Sequence, residues 1–176
     1  LDEVPDDVEI YSIDVPSSPR RTLDFIKRLK PIVNQIKPSG VISHMTGMNR
    51  MLLRARLAGV LRCPIVVVEH NNFEMSHLNG ERDNLRYHFI LAETRFLYRH
   101  AHAVVGCSLG VTNQLAELFR LPESKLFTVV NPLDDRFSRR SPLSVNHAAL
   151  FDGLERPIIA SIGRLVHQKG FDFMLR

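Results

Sequence analysis

The chain has 176 residues, 44% of them hydrophobic and 24% charged, with a formal net charge of +4. That is the make-up of a soluble globular protein with room for one ordinary domain or parts of two, and it excludes a chain too polar to build a core. No apolar run nears the roughly 18 residues of a transmembrane helix, and the opening Leu1-Asp2-Glu3 is unlike a basic, apolar leader.

Strand-like and helix-like runs then alternate along the chain. Val8 to Ile13 (VEIYSI) is expected to form a strand. Thr22 to Ile36 places Phe25 or Ile26, Leu29, Ile32 or Val33, and Ile36 on one helical stripe, which Pro31 kinks or restarts. Pro38-Ser39-Gly40 punctuates before the short strand Val41 to His44. In Asn49 to Val60, the residues Met51, Leu52, Ala55, Leu57 and Ala58 predict a helix packed through small side chains, stopped at Cys63-Pro64. The run Ile65 to Glu69 (IVVVE) is continuously β-branched before its acid, as in a parallel strand covered on both faces.

A polar loop from His70 to Glu81 precedes a helical pattern from about Asn84 to Arg99. Ala103 to Cys107 predicts another strand. Ser108 stands where it would cap the next helix, which runs through Phe119 with Val111, Leu115 and Leu118 as its buried stripe. Leu126 to Val130 is a further strand, ending at Asn131-Pro132. Periodicity fades from Leu133 to Arg156, apart from a short helix expected near His147 to Phe151. Pro157 to Ile162 is then expected as a buried strand, delivering a loop with Gly163, Arg164, Lys169 and Gly170 into a helix that opens at Phe171.

This alternation predicts a parallel, doubly wound, Rossmann-like α/β sheet. In such sheets ligands bind beyond the carboxyl ends of the strands. His44, His70, Ser108, Asn131 and the pair Gly163-Arg164 stand at five successive strand ends. Gly163 lets backbone approach a ligand closely, and two fixed cations, Arg164 and Lys169, can face a phosphate pair. A solvated loop with two surface cations is the plainer alternative. His70 stays open between a contact at a reacting centre and a histidine satisfied at a strand end, and His44 likewise. Ser108 reads first as a helix cap, with an acceptor contact as its functional version.

Other candidates carry less. Cys63 and Cys107 read as small core residues of a reducing compartment. His70, His77 and His88 fit no common zinc spacing, so no metal is expected. Glu69 and Glu74 read as solvated loop carboxylates. His100 and His102 bracket a helix end, where a cation suits the dipole. Arg136, Arg139 and Arg140 read as a solvated linker face, with anionic lipid or an acidic acceptor as the alternative. Aromatic residues, at 7%, are too few and too poorly interleaved with cations for a nucleic-acid groove.

The wording G-R-L-x-x-x-K-G after an apolar strand, at residues 163 to 170, resembles the opening of the C-terminal domain in family-four glycosyltransferases. The runs P-S-G-V-I-S-H (38 to 44), V-V-V-E-H-N-N (66 to 72), A-V-V-G-C-S-L-G-V (103 to 111) and L-P-E-S-K-L-F-T-V-V-N-P-L-D (121 to 134), with Phe137, are similar to further pieces of that family in the same order. The resemblance implies the GT-B architecture of two Rossmann-like domains facing across a cleft. Residues 1–134 would be the later part of the N-terminal, acceptor-side domain, 135–156 the interdomain linker, and 157–176 the start of the donor domain. The glycine-rich loop of the first domain would precede Leu1. A glutamate pair seven residues apart would lie beyond Arg176, so a fragment of this extent is not expected to turn over by itself.

The resemblance further implies a retaining hexosyltransferase that uses a nucleotide-diphosphate sugar as donor substrate in polysaccharide or glycoconjugate synthesis. Arg164 and Lys169 would hold the donor diphosphate beside Gly163, and His70 would contact the donor sugar or reacting centre. His44, Ser108 and Asn131 are the further cleft candidates. No cofactor or metal is expected, and the acceptor would be a glycan, a lipid-linked or another small molecule. The implied location is cytoplasmic, with peripheral association at the inner face of the membrane. A nucleotide-sugar epimerase or phosphorylase of the same fold, or a non-catalytic partner subunit, are the alternatives.

Overall fold

The computed structural model describes residues 4–15, 20–74, 85–132, 153, 159, 161–164 and 170–175. The chain divides into two compact units, Leu1–Asn131 and Pro132–Arg176.

In the first unit α1 spans Arg21–Ile36 as one helix that passes through Pro31 rather than restarting there. Proline leaves the Lys27 carbonyl without its N–H partner, and both residues lie on the exposed side, where water can satisfy it. Phe25 and Leu29 are buried, Ile26 and Val33 pack against the core, and Ile36 stays half exposed. Val8 to Ile13 is not a strand. A strand needs a neighbour to complete its backbone hydrogen bonds. This segment instead meets α1, with Gln35 Nε2 donating to the Tyr11 hydroxyl at 3.3 Å.

The sheet follows as β1 (Val41–His44), β2 (Ile65–Glu69), β3 (Ala103–Gly106) and β4 (Leu126–Thr128). The connecting helices are α2 (Thr46–Leu57), α3 (Leu85–Tyr98) and α4 (Leu109–Phe119). β2 has the bounds expected of it, β3 and β4 end sooner, and α2 starts earlier than its apolar stripe suggested. All pairings are parallel and the strand order is β1-β2-β3-β4. Crossovers between parallel strands are right-handed, so with neighbours in sequence also neighbours in the sheet, the three helices fall on one face. α2 packs on β1 and β2, α4 on β3 and β4, and α3 packs against both helices.

Burial alternates accordingly. Ile65, Val67 and Val104 on the helix face are completely buried. Val66 and Val68 are only half-buried, so the β-branched run in β2 is not covered equally on its two faces. On that second face Ile42 is 67% exposed. The core between sheet and helices is closed by aromatic rings: Phe119 meets Phe73 edge-on at 5.1 Å and Tyr98 at 5.0 Å. Such pairs add about 0.5–1.5 kcal/mol each beyond their area.

In the second unit Ile159, Ser161 and Ile162 of the expected strand are described, and none lies in a strand. Ile159 and Ile162 are exposed rather than buried. A parallel strand forms only against neighbours, and among the described residues of this unit no strand is present to pair with it. A short helix α5 does open at Phe171 (Phe171–Met174), after Gly170 in the left-handed region at φ 66°. Residues 135–152 and the short helix expected within them lie outside the described residues.

Candidate active site

Side-chain parity decides what meets at the carboxyl edge of the sheet. His44 is paired in register with Val68, so His70, two residues on, points to the same side. Glu69 points to the other, helix-packed side along with Ile65 and Val67. The two histidines thus meet on one face of the edge, and Glu69 is buried beneath the other.

His44 Nδ1 lies 2.9 Å from His70 Nε2, and the rings stack with centroids 5.2 Å apart. One nitrogen carries the proton that the other accepts, so the pair holds one shared proton between the rings. The residue after His44 is strained: Met45 has φ 73° and ψ 132°. A non-glycine residue there costs on the order of 1–3 kcal/mol, and such outliers cluster at functional sites. Its N–H is held by the Val68 carbonyl at 3.2 Å. The turn sends the chain directly into α2, whose first turn has no side-chain cap.

Glu69 is 2% exposed, which overturns its reading as a solvated carboxylate. It accepts from Thr46 Oγ1 at 2.8 Å, from Asn49 Nδ2 at 3.0 Å and from the Tyr98 hydroxyl. Burial, then the charge and hydrogen bond of Glu69, push the Tyr98 pKa well above its ordinary value, so this phenol stays a donor. The cluster pins the end of β2 to α2 and α3 immediately before His70. Asn49, fully buried and also donating to the Val68 carbonyl at 3.1 Å, was not singled out from sequence. The available signal was the period of two that puts Glu69 in line with Ile65 and Val67.

The next strand end is tied in as well. Cys107 N–H donates to the Glu69 carbonyl at 3.1 Å, and its thiol lies 3.2 Å from the His70 carbonyl. Ser108 caps α4, its Oγ accepting from the Val111 N–H at 3.2 Å. Ser108→Ala is expected to cost about 1 kcal/mol of stability, read from the urea midpoint. Gln114 on α4 clamps the loop after β2, accepting from the Phe73 N–H at 2.8 Å and donating to Asn72 Oδ1 at 2.7 Å. Glu74 takes part too, accepting from Gln114 Nε2 at 3.3 Å.

Asn131 is exposed just past β4. Gly163 and Arg164 are exposed in the second unit, whereas Lys169 lies outside the described residues, as do His77, Arg136, Arg139 and Arg140. His88 is exposed on α3. His102 serves the sheet rather than a helix end: its Nδ1 accepts from the Ile65 N–H at 3.1 Å and so completes the start of β2. Lys125 is a cation that binds carbonyls just past α3, its Nζ donating to the Arg99 carbonyl at 2.7 Å and the Ala101 carbonyl at 2.9 Å. Cys63 and Cys107 are free and half-buried. A groove of about 690 Å³ lies at the opposite edge of the sheet, beside Lys30, Lys37, Gly59 and Arg62. It lies at the carboxyl ends of α1 and α2, away from the strand ends that carry the histidines.

A parallel Rossmann-like sheet with polar side chains gathered at the carboxyl ends of its strands is an open α/β domain whose ligand edge lies there. The family described as Glycosyltransferase Family 4 matches residues 2–137, and the chain belongs to that family. Among curated proteins none matches the chain. No helix among the described residues is long and apolar enough to cross a membrane.

Proposed function

We propose that the full-length protein transfers a hexose from a nucleotide-diphosphate sugar to an acceptor hydroxyl, with retention of anomeric configuration, in polysaccharide or glycoconjugate synthesis. The observation that carries this reading is the His44–His70 pair at the carboxyl edge of β1 and β2, in a chain of family-four glycosyltransferases. In the reaction the bond between anomeric carbon and phosphate oxygen breaks, the acceptor oxygen bonds to that carbon and loses its proton, and a nucleoside diphosphate leaves.

His70 contacts the donor sugar at the reacting centre, and His44 holds the ring of His70 in place through the shared proton. Arg164 and Lys169 meet the charge that grows on the leaving diphosphate, with Gly163 allowing close backbone approach. That charge is met by the two cations, and no metal is called on. Ser108 and Asn131 line the acceptor side. The acceptor is a glycan, a lipid-linked or another small molecule, and the protein acts in the cytoplasm, at the inner face of the membrane.

The test is release of nucleoside diphosphate from a panel of nucleotide sugars, with and without acceptor, with the product anomer read by NMR. Acceptor-dependent release giving the donor's anomer supports the proposal. Interconversion of nucleotide sugars without transfer points to an epimerase and overturns it, as does the absence of turnover with every donor. His70→Ala is expected to lower kcat at least about tenfold, the worth of one hydrogen bond to a charged or charging centre. His44→Ala should have a smaller effect.

A further inference from the structure

Helix α3 is apolar on two opposite sides. Tyr87, Thr94, Leu97 and Tyr98 face the core and are buried. Leu85, Phe89, Ala92 and Phe96 follow one another at spacings of four, three and four, which makes a single stripe on the outer side. There Leu85 is 84%, Phe89 68% and Phe96 55% exposed. Scattered exposed apolar residues need no explanation, but a contiguous stripe marks an interaction surface.

Two histidines and two arginines of this segment border the stripe. His88 and Arg99 are exposed along one margin, with Arg95 half-buried beside them. His100 stands at the other, its ring 5.2 Å from that of Phe96. Burial and the nearby guanidiniums of Arg120 and Arg99 lower the pKa of Arg95, as when three cations crowd together. The acid on this helix, Glu93, is already engaged by Arg50 and Arg54 on α2. Burial pushes its pKa up, but those two guanidiniums outweigh burial and hold it below the usual range, so it stays ionised and neutralised.

We propose that the outer face of α3 docks on an anionic membrane surface. Phe89 and Phe96 enter the boundary between headgroups and acyl chains, while Arg95, Arg99 and Arg120 meet lipid phosphates. An apolar stripe with a cluster of arginines along one margin is the composition that interfacial helices use. A second copy is the poorer occupant, because self-pairing through this face would take the arginines of both copies out of water while Glu93, the one acid on α3, is already engaged. The inference rests on the peripheral location proposed above and is independent of the transfer chemistry.

The experiment is co-sedimentation of the purified full-length protein with phosphatidylcholine vesicles, with and without phosphatidylglycerol. Binding is expected with phosphatidylglycerol and should weaken as salt rises. Phe89→Ser/Phe96→Ser and Arg99→Glu/Arg120→Glu are each expected to lower partitioning at least about tenfold. Both should keep the parent's circular dichroism and its transfer to a water-soluble acceptor, because all four residues lie outside the strand-end site. Vesicle binding that neither variant alters overturns this surface and leaves the peripheral location standing. Absence of binding to any vesicle overturns both. Self-association without lipid, abolished by the Phe variant, makes a second copy the occupant and also overturns the proposal.

Discussion

Arg164→Ala in the full-length protein is expected to lower kcat at least about a hundredfold, the loss seen when one fixed transition-state donor is removed. Negative charge concentrates on the diphosphate as the glycosidic bond breaks. A guanidinium can grip its oxygens through two parallel N–H bonds, which a lysine at the same place cannot do. At about 4 Å and an effective dielectric near 20, one such pair attracts by roughly 4 kcal/mol before desolvation. Arg164 is exposed in the second unit, so its removal leaves no buried partner unpaired, and stability should hardly change. The division of the effect is informative. A fall in kcat at nearly constant KM places the interaction in the transition state, whereas a rise in KM alone indicates uniform binding. Turnover close to the parent's would remove the diphosphate role, and Arg164→Lys should fall between the two.

Gly106→Ala is expected to destabilise the first unit by about 3 kcal/mol or more, the upper range for overpacking a closed core. A Cβ built on Gly106 would lie 2.5 Å from Thr112 Oγ1, 2.7 Å from Thr112 N and 3.1 Å from Thr112 Cα. Two of those atoms are backbone of α4, so the clash cannot be relieved by turning a side chain. The helix must move off β3, and with it go the Ser108 cap and the link from Cys107 to His70. Gly110 is the control: its Cβ would find only Ser108 Oγ, at 3.9 Å. Gly110→Ala, within the first turns of α4, should stabilise by about 0.5–1 kcal/mol. Urea midpoints of the two variants should therefore move in opposite directions. A Gly106→Ala protein as stable as the parent would mean that α4 is not held against β3 in this way.

Much of this fold was legible in the residue pattern, and the misses have physical causes. β2 has its expected bounds because four consecutive β-branched residues between Pro64 and Glu69 leave little else for the chain to do. Ser108 was found as a cap because a hydroxyl before an apolar stripe satisfies an orphan N–H. The apolar pattern at Val8 to Ile13 suits a strand but forms none, since alternation says nothing about whether a partner strand is at hand. α2 begins before its apolar stripe because the left-handed turn at Met45, a residue with no preference for that conformation, starts it. The site was legible only in part. Strand ends pointed to His44 and His70 one at a time, and their contact follows from register, which local pattern does not contain. Glu69 was placed in the right strand and given the wrong environment, although its parity with Val67 already put it on the buried face.

The sequential strand order bears on how the first unit comes into being. Each new strand pairs with the one made just before it, across separations of about 20 to 40 residues. Among the described strands none is inserted between two older ones, so the loops that close them are short and their entropic cost is low. The sheet can grow by accretion as the chain leaves the ribosome, β1 to β4, with each helix laid down before its next strand docks. The histidine pair is complete once β2 has joined β1, so that contact can form while the residues around Arg164 are still unmade.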